Sequence, residues 1–149
     1  MAPGQFTDDG EMTVTLLQTL CNTQGAYRAD LVAQAYCQWE GSAPFDIGIA
    51  TRSALRVNQD RRQDAKGLAA LVQAQAANNN ADSKANGSLM RATPLGIAAC
   101  GCTVEEAIEM VAADAAMTHP HAVCQAASAA FCAAIAAGVA GANPQAMWA

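Results

Sequence analysis

The chain has 149 residues, of which 52% are apolar and only 14% charged, with a formal charge of −5. One hydrophobic core is the default at this length, and so thin a coat of charge implies that many helix faces pack against one another. The eight Lys and Arg are scattered, which argues against a nucleic-acid-binding face because neutralising phosphates takes clustered cations; a single small phosphate ligand stays open, since a helix N-terminus and one Arg can hold it.

Thr7 precedes Met12, Leu16, Leu17 and Leu20, whose spacing lies along one helical face, so the first helix is predicted from about Asp8 to about Asn22 with Thr7 as its N-cap. Leu31, Val32, Ala35, Tyr36 and Trp39 mark a second helix, stopped by Gly41-Ser42-Ala43-Pro44 because Pro disfavours helical geometry just before it. A third begins near Gly48 and carries Thr51 and Leu55; a fourth carries Leu68, Leu71 and Val72 and is expected to dissolve into a polar loop at Asn78-Asn79-Asn80. Pro94 can open a short helix through Ala99. Thr103-Val104-Glu105-Glu106 reads as a capping box for a helix through Ile108, Val111 and Ala115 to Thr118. Pro120 begins a last helix, with Val123, Phe131 and Ile135, that ends near Gly138 or Gly141.

No period-two stretch, internal repeat or strong linker appears, so the predicted class is all-α and residues 1–149 form one domain. From Ala115 onward there is no Asp, Glu, Lys or Arg. That stretch is Ala-rich, holds Gln125 and Ser128, and lacks the Leu, Ile and Phe density and basic anchors of a membrane span, so a buried central helix is expected in a protein without a membrane partner. With no basic and apolar leader at the amino terminus, the six cysteines are read as reduced and the protein as cytoplasmic. Cys100 and Cys102 with His119 and His121 do not have the spacing of a recognised structural zinc site.

Three short polar motifs carry the candidate chemistry. Thr7-Asp8-Asp9-Gly10-Glu11 puts a hydroxyl and adjacent carboxylates at a helix entrance, oxygen ligands that suit a hard cation such as Mg²⁺, although acids in a first turn also stabilise any helix. Asn86-Gly87-Ser88-Leu89-Met90-Arg91 offers a tight turn, a hydroxyl and a planar cation able to close on a phosphate; its everyday reading is a turn between helices. Thr118-His119-Pro120-His121 holds the only two histidines, at a junction where an imidazole can reach a ribose or phosphate and Thr118 can equally be a cap.

Taken together, the motifs resemble the ADP-ribosylglycohydrolase family, which includes the dinitrogenase-reductase-activating glycohydrolases and J1-type lens crystallins. Phe6 to Met12 is similar to its Thr-Asp-Asp metal motif, Tyr36-Cys37-Gln38-Trp39 to the aromatic segment after the next helix, and Asp46-Ile47-Gly48-Ile49-Ala50-Thr51 to its Asp-x-Gly-x-x-Thr turn. Asn86 to Arg91, followed by Ala92-Thr93-Pro94-Leu95-Gly96, resembles its Asn-Gly-x-x-Met-Arg loop, and Thr118-His119-Pro120 its histidine junction.

The resemblance implies a compact orthogonal all-α domain and a binuclear Mg²⁺ centre at the mouth of a cleft for ADP-ribose or an ADP-ribosylated protein. It implies hydrolysis of the glycosidic bond to a protein side chain or small acceptor. By position, Thr7, Asp8 and Asp9 would ligate metal, with Asp8 and Asp9 as the catalytic carboxylates. Asn86, Gly87, Ser88, Met90, Arg91 and His119 would bind substrate, Met90 and Arg91 by supporting the loop. The family pattern also has a Glu-bearing helix before Thr-Asp-Asp and a late Asp-x-Asp-Thr; neither occurs here, and Gly10 stands where Thr is common. The chain is therefore expected to be the central portion of the family domain, incomplete at both ends, with a partial Mg²⁺ site and apolar helix faces that promote self-association. The alternative expectation is a catalytically inactive fragment that binds ADP-ribose or serves as a helical interaction module.

Overall fold

The computed structural model describes residues 3–147, and among these there are nine α-helices and no strand. Helix α1 spans Asp8–Asn22, α2 Ala29–Gly41, α3 Ile49–Leu55, α4 Gln59–Gln63 and α5 Leu68–Asn80. Then come α6 Thr93–Ala98, a 3-10 turn at Ala99–Gly101, α7 Val104–Ala116, α8 Ala122–Val139 and α9 Pro144–Met147. Trp148 and Ala149, the end of the uncharged stretch, lie outside the described residues.

The three-four spacing on α1 buries Met12, Leu16 and Leu20 against Val32 and Tyr36 of α2, while Leu17 stays 44% exposed. Helices α2 and α3 pack on α5, adding Leu55, Leu68 and Val72 to the core. The capping box forms in full: the Thr103 hydroxyl accepts from the Glu106 N–H, and the Glu106 carboxylate accepts from the Thr103 N–H. Another acid reaches across the fold to do similar work. Gly67 has φ +68°, a left-handed conformation at home in Gly, and its N–H and that of Ala69 donate to the two oxygens of Asp30 on α2, which thereby holds the start of α5.

Four details depart from expectation. Thr7 precedes α1 but makes no side-chain cap bond; its hydroxyl lies 3.3 Å from Asp9 Oδ2 instead. Asn78 to Asn80 is the last turn of α5 rather than a loop, because Asn80 is buried and its amide bonds to tertiary partners at both ends. Its Nδ2 donates to the carbonyls of Ala50 and Thr118, and its Oδ1 accepts from Ser53. Helix α8 starts at Ala122, with His121 rather than Pro120 at its entrance and the His121 ring accepting from the Val123 N–H.

Last, α8 is not buried all round. It is long and apolar enough to cross a membrane by length and composition, yet only 17% of it is buried. Ala is too small to cover much surface, so one face of α8, with Cys124, Ser128 and Cys132, packs inward while Val123, Phe131 and Val139 face out. Close approach of α6 rests on Gly96, where a Cβ would stand 2.7 Å from Ile135 Cβ.

Candidate functional site

Four segments converge on one cleft. The first turn of α1 supplies Asp8, the turn into α3 supplies Gly48 to Thr51, and the 86–90 loop and His119 close the other side around a cavity of about 390 Å³. Asp8 is 9% exposed and its Oδ2 accepts the Gly48 N–H at 3.1 Å, which ties the α1 entrance to the Asp-x-Gly turn. Burial pushes the Asp8 carboxyl above its ordinary value; the Gly48 N–H opposes this, and the nearby carboxylates of Asp46 and Asp9 add to it. Asp9 is exposed, linked to Thr7. Negative charge is thus crowded at a partly desolvated helix entrance, a condition that a cation relieves.

The donor chemistry of Thr7, Asp8 and Asp9 is all oxygen and fits a hard cation; their number does not fill its shell. Among the described residues no three His, Cys, Asp or Glu side chains come together as a metal cluster. Cys100 and Cys102 are exposed free thiols, His121 caps α8, and His119 is buried.

The loop from Asn86 to Arg91 is held from behind. Arg91 is completely buried: its Nε donates to Asp114 Oδ2 at 3.0 Å, one Nη to the Gly87 carbonyl at 3.0 Å and to Thr118 Oγ1 at 2.8 Å, and the other Nη to the Asp114 carbonyl at 2.8 Å. Tyr36 lies beneath it, with the guanidinium carbon 4.7 Å from the ring centre and its hydroxyl donating to Asp114 Oδ1. The cation is therefore fully engaged within the protein. It shapes the loop and does not reach a phosphate.

Ser88 also faces inward, its hydroxyl accepting from Ser128 of α8 at 3.3 Å. Asn86 is exposed on the cleft rim, and Met90 lines the cavity while its carbonyl lies 3.4 Å from the Thr13 hydroxyl. At Gly87 a Cβ would stand 2.4 Å from His119 Cε1, 3.0 Å from Nε2 and 3.1 Å from Thr51 Oγ1. Only Gly lets the loop backbone lie against the imidazole edge. Burial, helped by the Arg91 charge, pushes the His119 ring down to about 4, so it is neutral near pH 7.

Of the predicted site residues, Asp8, Asn86, Gly87, Met90 and His119 share this cleft, with Thr7 and Asp9 at its α1 edge. Ser88 and Arg91 stand behind the loop. Two supports went unpredicted. Asp114 is an acid in the run Val111-Ala112-Ala113-Asp114-Ala115-Ala116-Met117, on the same helix face as buried Val111 and Ala115. A carboxylate at such a position calls for a buried cation, and that was a legible signal. Asn80 gave none beyond its place in an Asn run.

Fold and cleft together define an all-helical protein whose carboxylate-bearing helix entrance faces a Gly loop and a neutral imidazole. The sequence profile of the family described as ADP-ribosylglycohydrolase matches residues 1–149, and the chain belongs to that family. It is 35% identical over 91 residues to a protein of Acanthamoeba polyphaga mimivirus named as a putative ADP-ribosyl glycohydrolase; the match covers 61% of this chain and 24% of that protein. The chain thus spans about a quarter of the length of this curated relative.

Proposed function

We propose that this chain forms the nucleotide-facing part of an ADP-ribosylglycohydrolase site, for Mg²⁺-dependent hydrolysis of the bond between ADP-ribose and a protein side chain or small acceptor. One observation carries the reading: the Asp8 entrance, the Gly87 loop and His119 meet around a single cavity of about 390 Å³. In it the loop backbone and His119 bind the ligand, Asn86 sits at the rim, and Arg91 and Met90 keep the loop in place. Thr7, Asp8 and Asp9 are the residues that would hold Mg²⁺. The ion, when bound, supplies positive charge that orients ribose oxygens as the glycosidic bond weakens. The carboxylates of Asp8 and Asp9 accept hydrogen bonds from, and position, the attacking water. The free thiols among the described residues support a reducing, cytoplasmic setting.

NMR and thermal-shift titration with ADP-ribose, AMP and ribose 5-phosphate test the reading. ADP-ribose is expected to perturb the amides of 86–91 and raise the unfolding temperature more than either fragment. A folded chain that gives no response at millimolar ADP-ribose overturns it.

A second reading, a helical interaction module, is favoured by an apolar groove of about 410 Å³ between α7 and α8, lined by residues such as Val104, Ile108 and Ala133. Val104 and Ile108 are 71% and 52% exposed. Patches of this kind mark interfaces on soluble domains. Concentration-dependent sedimentation, abolished by Ile108→Glu, is the result that reading requires.

A further inference from the structure

We propose that Asp114, Arg91 and Thr118 form a hydrogen-bond relay that fixes the His119 ring with its proton on Nε2, making His119 a donor to a ligand oxygen in the cleft and not a base. The identity of that ligand as ADP-ribose rests on the function proposed above; the tautomer does not.

Each proton along the relay has one place to go. A guanidinium has five N–H donors, no acceptor, and keeps its charge in proteins. Where Arg91 Nη1 stands 2.8 Å from Thr118 Oγ1, the threonine oxygen therefore accepts. The orientation of Arg91 is not adjustable, because Asp114 takes Nε on its carboxylate and the other Nη on its carbonyl. The Thr118 hydroxyl proton then needs an acceptor of its own. Thr118 is 0% exposed, and among the described residues the group in reach is His119 Nδ1, also at 2.8 Å. Unpaired in the interior, that proton would have lost its water and gained nothing. So Thr118 donates, Nδ1 accepts, and a neutral ring carries its single proton on Nε2.

The two other states of the ring both fail on the same atom. A proton on Nδ1 would bring a second donor onto the Thr118 oxygen and strand the hydroxyl hydrogen. An imidazolium would do this too, and would add a positive charge beside Arg91. Burial and Arg91 already hold the ring neutral down to about pH 4. Asp8 lines the same cleft, and Asp114 lies behind Arg91.

His119 lines the cleft, and with Nδ1 turned to Thr118 the Nε2 edge is the one left for a ligand. A Cβ on Gly87 would stand 3.0 Å from Nε2, so this edge lies against the loop, and Nε2 has no hydrogen-bond partner among the described residues. An N–H there suits an oxygen acceptor, a phosphate or a ribose hydroxyl. Thr118 and Asp114 are thus positioning residues, acting through His119.

The test is a long-range ¹H–¹⁵N correlation of the imidazole nitrogens in the ¹⁵N-labelled full chain. With only two histidines, His121→Gln assigns the signals. The expected pattern for His119 is a protonated, pyrrole-like Nε2 and an unprotonated Nδ1, unchanged between pH 7.5 and 5.5. Thr118→Ser should keep it. Thr118→Val, which has the same shape without the hydroxyl, should move both nitrogens toward the average of a tautomer mixture. A protonated Nδ1 in the native chain overturns the relay, as does an unaltered pattern in a folded Thr118→Val; if that variant does not fold, the native pattern and Thr118→Ser decide.

Separate additions of ADP-ribose, inorganic phosphate and ribose then identify the acceptor, through a shift at Nε2 with Nδ1 held. If ADP-ribose perturbs the amides of 86–91 without moving Nε2, the donor role falls. If it perturbs nothing, the ADP-ribose reading falls and takes that donor role with it, while the tautomer stands or falls on the ring-nitrogen signals of the free chain.

Discussion

Replacing Asp114 by Asn keeps the size of the side chain and removes its charge. Arg91, with no exposed surface, then carries a positive charge that no other acid among the described residues pairs with. Breaking a buried ion pair from one side costs about 3–5 kcal/mol, a large part of the 5–15 kcal/mol typical of whole domains. The informative partner is the double variant Arg91→Met with Asp114→Leu. For an isolated buried pair, such an apolar replacement is often neutral or stabilising. Here it strands the Tyr36 hydroxyl and the Gly87 carbonyl, whose partners are Asp114 and Arg91. At about 1–3 kcal/mol for each unpaired group, the double variant should remain about 2–6 kcal/mol below the native chain. Urea unfolding followed by far-ultraviolet circular dichroism measures both, with an unchanged denaturant slope showing that the same transition is compared. A loss below about 1 kcal/mol in Asp114→Asn, or a double variant more stable than the native chain, would refute the network as described.

Gly87→Ala puts a methyl group 2.4 Å from His119 Cε1, so the loop or the ring must move; ADP-ribose binding should fall at least tenfold by calorimetry while the far-ultraviolet spectrum is retained. His119 sits at about 4 when folded against an ordinary 6.5, so the unfolded chain binds the extra proton between those values and stability falls as pH drops through that window. The loss should approach about 3 kcal/mol, and His119→Gln should flatten that part of the profile; Asp8, shifted upward, works in the opposite direction near its own titration and is common to both chains. Mg²⁺ or Mn²⁺ should bind weakly, at no better than millimolar, because Thr7, Asp8 and Asp9 offer about half of an octahedral shell. Calorimetric titration checks this, and micromolar binding that survives Asp8→Ala with Asp9→Ala would place the ion elsewhere.

The parts of the fold that were legible in the sequence are those where local chemistry and tertiary demand agree. Helix α1 runs from Asp8 to Asn22 as its apolar spacing indicates, and α7 begins at its capping box. Helix α4, Gln59–Gln63, has no apolar residue and hence no periodicity to read. The asparagines at 78–80 look like a loop because Asn is a poor helix former, and they are helical because Asn80 has buried partners that no local rule reveals. Composition points to an enclosed α8, but a run of Ala signals tolerance of close packing, which one face uses, and not burial of every face. In the site, the sequence offers residue types and not directions. Arg91 was readable as a cation on the loop; that it points inward depends on Asp114, 23 residues away.

Asn80 has a further consequence, for the order of assembly. One amide joins Ala50, 30 residues earlier, to Thr118, 38 residues later, and so ties the α3 entrance to the histidine junction across the end of α5. Contacts over such separations pay the entropy of loop closure before they return any enthalpy, so they belong to the late stages of folding. The α3 entrance and the histidine junction are therefore expected to come together late, so that ligand capture reports on a late step of folding rather than on the helices that precede it.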